Sequence, residues 1–237
     1  MIKLTKKEIY NLKPVGSNVL IKPNRKIDEI YFSSGSKLYF DPSFHPEMHA
    51  PVTGEVIVVP AKTKIESEID FESVVELVPG DNVIFSYIAG SACLDPRIEE
   101  TIVDEEKELY FWIRYQDIYA AKRGDYRFAI NHYHIVEEVD EVKPESILEL
   151  PDSFKKKSNK IAKVLFRPTH HVRYKNDRLS HGAIAPEGSY IVVDKNGIFP
   201  LEHDLHRSFM GRTYLPCVVA QRDVMAIIPA ELIDKIK

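Results

Sequence analysis

The sequence of 237 residues has little of what marks disulfide-rich or nucleic-acid-binding proteins. It contains two cysteines, Cys93 and Cys217, and carries a net charge of −4 with no excess of basic residues. Two thiols at positions that do not correspond exclude a disulfide framework or a paired-cysteine metal motif, and they fit a reducing cytoplasm. The charge balance gives no electrostatic reason to expect a nucleic-acid partner.

Long apolar runs and nucleotide-binding motifs are also absent from the sequence. No stretch approaches the roughly 18 apolar residues of a membrane span, and the first ten residues lack the apolar core of a signal peptide. The sequence has no Gly-x-x-x-x-Gly-Lys-Ser/Thr loop and no Gly-x-Gly-x-x-Gly segment, which argues against ATP hydrolysis and against a dehydrogenase. We therefore expect a cytoplasmic protein that is not an enzyme, with no cofactor and no membrane partner.

Short strand patterns dominate what is present. Runs such as 54–59, 82–87 and 108–113 are β-branched or aromatic and are bounded by Pro, Gly, Asp or Ser. Such runs are typical of small barrels or sandwiches. Pro79-Gly80-Asp81 predicts a turn, because Pro presets φ, Gly accepts a positive φ and Asp can bond nearby backbone. Helical spacing after the last strand is found at 229–234. The sequence predicts an all-β protein.

The two halves of the chain repeat one another. The repeat length of roughly a hundred residues is too long for a solenoid and indicates duplication of a whole domain. We predict an N-terminal extension of residues 1–13 with one or two helical turns, a first domain of residues 14–123 and a second domain of residues 124–237. The matched runs are 18–22 with 131–136, 38–44 with 148–154, 79–85 with 186–192, and 116–121 with 222–227.

The order of these motifs resembles that of the co-chaperonin family, the GroES-type lids of chaperonin rings. The family opens with a strand ending in Lys, continues into a mobile loop with an aliphatic triplet before Pro-Asp-Ser, and resumes at Gly-Glu-Val. It then places Gly-Asp-x-Val-x-Phe in mid-domain and closes on Asp-Ile-Leu-Ala. The corresponding runs are 18–22, 38–40, 54–56, 80–85 and 117–120 in the first half, and 148–153, 162–164 and 223–226 in the second.

The resemblance implies a fold and a function. The fold is two tandem GroES-like small β-barrels. The function is that of a co-chaperonin: a homo-oligomeric ring caps a nucleotide-bound GroEL-type chaperonin and assists ATP-dependent protein folding. In the family, the loop triplet docks in an apolar groove of the chaperonin. The partner-binding residues implied here are Leu38, Tyr39 and Phe40 in the first half and Leu148, Glu149 and Leu150 in the second.

The triplets depart from the family pattern. Leu38-Tyr39-Phe40 is bulkier and more aromatic than an aliphatic triplet, and Glu149 places a carboxylate at the centre of the second one. Desolvating that carboxylate in an apolar groove would cost several kcal/mol. Either Glu149 points outward, as strand alternation allows, or this loop has a different partner. The alternative for both triplets is that they are strand residues packed on their own barrel.

A second functional hypothesis comes from a different class. The chain could be a structural ring or shell protein, for example of a virus particle, that reuses the GroES-like barrel. The loss of Asp in the second turn, the unusual triplets and the low count of ten glycines favour it. For the co-chaperonin hypothesis, the sequence shows nothing that resembles a plastid transit peptide, so we expect a bacterial or phage-encoded protein.

Other polar clusters indicate no catalytic or metal site. Cys217, beside two valines, is interpreted as a buried strand thiol, and the acidic runs 66–70 and 104–108 as solvated hairpin tips. Asn176-Asp177 predicts a further hairpin turn. The histidines that lie close together in the sequence form no recognised metal-ligand set; they are His132, His134, His170, His171, His203 and His206.

Overall fold

The computed structural model describes residues 2–24, 29–31, 36–39, 50–63, 71–92, 101–139, 161–170, 172–174, 183–194, 197–201 and 216–229. Over these ranges the chain is mostly β-sheet with few helices, which confirms the predicted all-β class. None of the helices in them has the length and apolar character needed to cross a membrane.

The strands of the first half follow the short β-branched and aromatic runs of the sequence. The predicted runs 54–59 and 108–113 are strands whose ends differ by one residue from the prediction. The strands are β1 (Ile2–Lys3), β2 (Asn18–Pro23), β3 (Glu29–Tyr31), β4 (Lys37–Tyr39), β5 (Thr53–Val58), β6 (Phe71–Glu72), β7 (Asn82–Phe85), β8 (Ile102–Val103), β9 (Leu109–Arg114), β10 (Ile118–Arg123) and β11 (Tyr126–Ala129).

The strands of the second half are again short and rich in Val and Ile. They are β12 (Tyr133–Glu138), β13 (Ile161–Phe166), β14 (Arg173–Tyr174), β15 (Tyr190–Val193), β16 (Ile198–Pro200), β17 (Cys217–Ala220) and β18 (Val224–Ile228).

Two large sheets have the same internal order. The first is β1-β8-β9-β2-β5-β7-β10-β11, and the second is β16-β17-β12-β13-β15-β18. Strands β12, β13, β15, β17 and β18 therefore hold the positions of β2, β5, β7, β9 and β10, and all these neighbours are antiparallel. Within the described ranges neither sheet closes into a barrel.

The two sheets also share their register. Ile21 pairs with Val56 in the first sheet, and Val136 pairs with Val164 in the second. The pairing shifts immediately before both positions, at an irregularity of the β-bulge kind. Because a slip of one residue would turn every side chain to the other face, a shared register puts equivalent positions on equivalent faces.

The structure corrects the alignment at the start of the repeat. Gly16 and Asn131 both have a positive φ, 70° and 60°. The carbonyl of the next residue, Ser17 or His132, accepts a hydrogen bond from the first residue of the 3₁₀ turn in its own half. Asn131 is therefore equivalent to Gly16, and its match to Asn18 was wrong. Backbone conformation is repeated here and residue type is not, since Gly and Asn are the residues that best tolerate this region.

A short helix near the N-terminus, α1 (Lys6–Tyr10), confirms the predicted helical turn. Its first turn is closed by a capping box: Glu8 N–H donates to Thr5 Oγ1 at 3.3 Å, and Thr5 N–H donates to the Glu8 carboxylate at 2.8 Å. Reciprocal bonds of this kind satisfy amides that a helix leaves unpaired. This local pattern allows a helix of five residues to persist at the edge of the first sheet.

A second helix, α2 (Tyr87–Ala92), was not predicted. The run 82–87 was expected to be a strand, but the strand ends at Phe85, where Ser86 Oγ accepts from the Ile88 N–H at 3.3 Å. A Cβ at Gly90 would lie 1.8 Å from the Pro51 carbonyl oxygen, so glycine allows this helix to lie against the chain before β5. The helix predicted at 229–234 lies outside the described residues after Pro229.

Candidate interaction surfaces

The six predicted contact residues lie only partly within the described ranges. Leu38 and Tyr39 are in β4, which pairs antiparallel with β3 and places Leu38 opposite Ile30. This hairpin is a two-stranded sheet separate from the two large ones. It interrupts the chain between β2 and β5, where the resemblance places the mobile loop. Phe40, Leu148, Glu149 and Leu150 lie outside the described residues.

A buried carboxylate organises the turn before β7. Gly80 has a φ of 91°, and its N–H donates to the Val56 carbonyl at 2.8 Å. Asp81 is 1% exposed, and its carboxylate accepts from the Val78 N–H at 2.9 Å and from two Arg123 nitrogens at 2.7 Å each. The predicted turn is present, and a bidentate ion pair ties it to the end of β10.

The equivalent turn in the second sheet keeps the backbone bonds and lacks the ion pair. Gly188 has a φ of 80°, and its N–H donates to the Val164 carbonyl at 2.9 Å. Ser189, which replaces Asp81, donates through Oγ to the Pro186 carbonyl at 2.6 Å. The turn therefore depends on the glycine and the backbone, and the carboxylate is an addition specific to the first sheet.

The first sheet ends in a strand that belongs to the second half of the chain. The predicted domain boundary, between residues 123 and 124, falls at the turn between β10 and β11, where Gly124 has a φ of 60°. β11 pairs with β10, and the N–H of the next residue, Ile130, donates to the Tyr119 carbonyl at 3.1 Å. The second half therefore begins as an added edge strand of the first sheet.

Asn131 fixes the point where the chain leaves the first sheet. It is fully buried, and its side-chain amide donates to the carbonyls of Tyr115 at 2.7 Å and Ile118 at 2.9 Å. Tyr133 follows and packs edge-on against Tyr119, with ring centroids 4.9 Å apart. Buried hydrogen bonds with defined geometry make this joint specific as well as stable.

An apolar cluster buries the contact between the two sheets. We call it the junction cluster, and its buried members are all at most 4% exposed. Burial of such side chains is the main favourable contribution to a contact of this kind. Its members are Ile84, Ala120 and Ala129 from the first sheet and Ile135, Leu201 and Val218 from the second, with the partly buried Tyr119, Tyr133 and Phe166 packed against them.

A second contact joins the halves away from the junction cluster. β6 pairs with β14, so segments from the two halves form a two-stranded sheet. Nearby, the Glu76 carboxylate accepts a hydrogen bond from the Thr169 hydroxyl and lies 3.4 Å from His170 Nδ1. The segment between β5 and β7 therefore contacts its equivalent in the second half, the segment between β13 and β15.

Two histidines at the start of the second half are structural. Burial lowers the pKa of His132 to about 3 and that of His134 to about 4. His134 Nε2 accepts a hydrogen bond from the Ala185 N–H at 3.0 Å, so the ring is neutral at pH 7. In the part of the chain that is described, no group of three His, Cys, Asp or Glu could hold a metal ion. His171, His203 and His206 lie outside it.

One acidic hairpin tip is not solvated as predicted. Asp104, between β8 and β9, is 5% exposed and accepts from the amides of Glu106 and Glu108 and from the Tyr110 hydroxyl, each at 2.9 Å. Burial acts to raise the pKa of Asp104, but these hydrogen bonds outweigh it and the pKa lies below its usual value. The carboxylate closes the turn. The run 66–70 lies outside the described residues.

The single described cysteine is part of the second core. Cys217 in β17 is 1% exposed and packs with the apolar residues of its sheet, so the prediction of a buried strand thiol is confirmed. Its register partner Val136 is equivalent to Ile21, whose partner is Phe111. Cys217 therefore stands where the first sheet has Phe111. Cys93 lies outside the described ranges.

The contact made by the N-terminal extension was not predicted from the sequence. Ile9 is fully buried against Leu20 and Ile102 of the first sheet. A signal was present, because the run Thr5-x-x-Glu8 before an apolar residue is a capping box. Such a box predicts an ordered helix start, and a helix start followed by an apolar side chain needs a surface to pack on.

No family model matches the chain, and no curated protein matches it significantly.

Proposed function

We propose that the chain is a co-chaperonin: two GroES-like barrels in tandem that join with further copies into a ring and cap a GroEL-type chaperonin. The ring would assist ATP-dependent folding by closing the chaperonin chamber. The observation that supports this proposal most is the repetition of strand order, register and turn in two sheets, with the second docked on the first through β11.

A repeated unit that docks on its predecessor is suited to building rings. The junction cluster is heterologous, because the surface that the first sheet contributes differs from the surface that the second contributes. Contacts of this type give rings when the rotation closes and filaments when it does not. The chain thus contains one example of the contact that an assembly of its own copies would need.

The contact residues of this proposal are Leu38, Tyr39 and Phe40, with Leu148, Glu149 and Leu150 in the second loop. Burying three apolar side chains contributes roughly 5–8 kcal/mol, whereas ordering a loop of ten residues costs on the order of 10 kcal/mol before hydrogen bonds offset it. A single loop would bind weakly. Several loops on one ring bind together through effective concentration, so oligomerisation belongs to the mechanism.

The resemblance raises a question of symmetry. Chaperonin rings of this group are seven-fold, and whole two-unit chains cannot supply seven units to a closed ring. Three chains would leave one chaperonin site empty, and four would leave one unit over. The stoichiometry of a complex is therefore informative about the proposal.

The experiment is co-sedimentation of the purified protein with a GroEL-type chaperonin in ATP, in ADP and after magnesium chelation. We expect nucleotide-dependent binding that Leu38→Ala with Phe40→Ala weakens at least tenfold while self-association is unchanged. Tyr87→Ala with Ile88→Ala is the matched control, since these side chains are 52% and 65% exposed in the same half. An absence of binding, together with a stable assembly of the protein alone, would favour the structural ring or shell protein.

A further inference from the structure

The face that the second sheet contributes to the junction cluster has an equivalent on the first sheet. Ile135 pairs with Val218 as Leu20 pairs with Trp112. Leu201 lies beside the residue before β17, as Ile102 lies beside Tyr110. On the second sheet this face packs against the first sheet. The equivalent face of the first sheet, which we call the docking face, consists of Leu20, Val58, Ile102 and Trp112.

The docking face of the first sheet is covered by the chain's own N-terminus. Residues 2–12, which we call the N-terminal cover, place Ile9 in the apolar cluster that contains Leu20 and Ile102, with Leu4 and Leu12 packed against its margin. β1 adds to β8 in parallel at the same edge of the sheet. The N-terminal cover therefore occupies the position that a preceding unit would take.

The edge of the second sheet that corresponds to β10 of the first sheet has no further strand among the described residues. β18 is the last strand in its order within the described residues, whereas β11 covers the equivalent strand β10. Met225 is 70% exposed and Ile227 is 36% exposed. Their equivalents on β10 differ, because Tyr119 packs against the junction cluster and Ala121 is fully buried. An apolar strand edge of this kind is a template for pairing with another chain.

The segment that would cover this edge lies outside the strands of the first sheet. Residues 11–15 precede β2 as residues 126–130 precede β12, and they lie in no strand. Val15 is 82% exposed, whereas the equivalent Ile130 is fully buried on the first sheet. Among the described residues, β18 is thus an edge strand and residues 11–15 lie in no strand. They are equivalent to β10 and to the segment 126–130, which pair with one another inside the chain.

A second contact of the junction type, now between copies, would pair β18 of one copy with residues 11–15 of another. We propose that the N-terminal cover blocks this contact, so that assembly requires the N-terminal cover to leave the docking face. The partner is thus another copy of this chain, and the N-terminal cover regulates assembly. The inference deepens the proposed function and rests on the self-assembly that it requires, but it needs no chaperonin. The N-terminal cover and a sheet of another copy cannot occupy the docking face at the same time, because both would fill the same apolar surface.

The position of Pro14 is compatible with this pairing. The bond from Ile130 N–H to the Tyr119 carbonyl shows that residue 130 points its backbone groups toward β10. Successive residues of an antiparallel strand alternate in this respect, so the N–H of Ala129 points away. Pro14 is equivalent to Ala129, whose N–H does not bond to β10. The missing N–H of Pro14 therefore does not prevent the same pairing.

The N-terminal cover is attached by few contacts. Ile2 and Leu4 N–H groups donate to the carbonyls of Thr101 and Val103 at 2.9 and 3.1 Å, and the Lys6 N–H donates to the Glu105 carboxylate at 3.2 Å. The ion pair from Lys6 to Glu106, at 2.6 Å, is between side chains 41% and 63% exposed, and exposed pairs contribute little. Ile9 is the one fully buried residue of the segment. A short segment held in this way can be displaced by a larger surface.

The test is sedimentation velocity of the full chain over a range of concentrations, without chaperonin. Ile9→Glu puts a carboxylate into the apolar cluster and should release the N-terminal cover, so we expect assembly at a concentration at least tenfold lower than for the unmodified chain. Tyr10→Glu is the matched control, since Tyr10 is 54% exposed, and it should leave assembly unchanged. Thr5→Ala with Glu8→Ala, which removes the capping box without a buried charge, should shift assembly in the same direction as Ile9→Glu.

A second change identifies the surface. By the same alternation, Ile227 points its N–H to the open edge of β18, so Ile227→Pro removes only an outward donor and blocks pairing. Added to Ile9→Glu, it should restore the behaviour of the unmodified chain. The proposal is overturned if both N-terminal variants assemble no more readily than the unmodified chain, or if Ile227→Pro leaves their assembly intact. Chaperonin binding by those same variants would show that the proposed function stands without this inference.

Discussion

The two large sheets pair equivalent strands in equivalent registers, yet their cores are filled by side chains of different size. Leu77, Phe85 and Phe111 in the first sheet are replaced by Ala185, Val193 and Cys217 in the second. The two sheets therefore share strand register and turns but not the volumes of their core side chains. Strand pairing constrains which face of the sheet each residue occupies more strictly than it constrains the size of the side chain.

The sheets also differ in their polar interior. The first encloses the ion pair of Asp81 with Arg123, and the second replaces the carboxylate with Ser189. The second sheet buries His134 at the position that Val19 has in the first sheet. His134 pairs with Val219 as Val19 pairs with Ile113. Burial lowers the pKa of His134 to about 4, so the second sheet contains a neutral ring whose burial becomes unfavourable on acidification.

The largest effect is expected from giving the first core a side chain of the second. Phe111→Cys removes an aromatic ring that is 3% exposed, and truncating a buried Phe costs about 3–4 kcal/mol through lost burial and a residual cavity. Trp112 is the single tryptophan and lies in β9, so its fluorescence reports unfolding of the first sheet. We expect the urea midpoint by fluorescence to fall more than the midpoint by circular dichroism.

Cys217→Ala is the control for this change in the second sheet. It removes one sulfur from the equivalent position and should cost about 1 kcal/mol, with no selective effect on Trp112. Equal losses from the two variants would contradict the view that the first core depends more on volume.

The next effect concerns the turns. Asp81→Ser copies the second turn into the first and removes three charge-assisted bonds, two of them from Arg123. Because Arg123 is half exposed and can be solvated, we expect a loss of about 2–3 kcal/mol rather than the full cost of an unpaired buried charge. Thermal unfolding measures it. Ser189→Ala, which removes one neutral bond, should cost about 1 kcal/mol, and a cost equal to that of Asp81→Ser would show that the ion pair adds nothing.

Much of the fold could be predicted from local signals. The strands at 54–59 and 108–113 and the turn at Gly80 follow from β-branched runs bounded by residues with special backbone freedom. The end of the strand at Phe85 could not, because the helix after it depends on the close approach of Gly90 to Pro51, a contact distant in sequence. The alignment of Asn18 with Asn131 is wrong because it relies on residue identity. The feature that the two halves share here is a positive φ, which Gly16 and Asn131 both have.

The candidate surfaces were less predictable than the strands. Leu38 and Tyr39 were proposed from a resemblance, and the structure places them in a separate hairpin without testing their role. The junction cluster and the N-terminal cover were not predicted, because each joins residues from distant parts of the chain. The docking face can be recognised only by comparing the two sheets, because the equivalent face is in contact with a neighbouring sheet only in the second one.

A third prediction uses the buried histidine. The pKa of His134 is lowered to about 4 by burial, so the unfolded chain binds a proton near pH 6.5 that the folded chain does not. Stability from this source is present above pH 6.5 and is lost as the pH falls toward 4. Between pH 7 and pH 5 the unmodified chain should lose about 2 kcal/mol more than His134→Val. His132 is retained in both proteins and serves as the internal control, and parallel pH profiles would contradict the assignment.

The smallest effect concerns the residue that joins the sheets. Asn131 and Gly16 share a positive φ, but only Asn131 has an amide that donates to the carbonyls of Tyr115 and Ile118. Asn131→Gly removes both bonds, which costs about 2 kcal/mol, but glycine adopts the positive φ with about 1 kcal/mol less strain. We therefore expect a net loss of about 1 kcal/mol. Hydrogen exchange should increase most in β11 and at the start of β12, because this side chain ties the connection between them to Tyr115 and Ile118. Gly16→Asn is the matched change in the first half, and it should be nearly neutral because asparagine tolerates this φ. If the two variants behave alike, the joint between the sheets is held by the junction cluster alone.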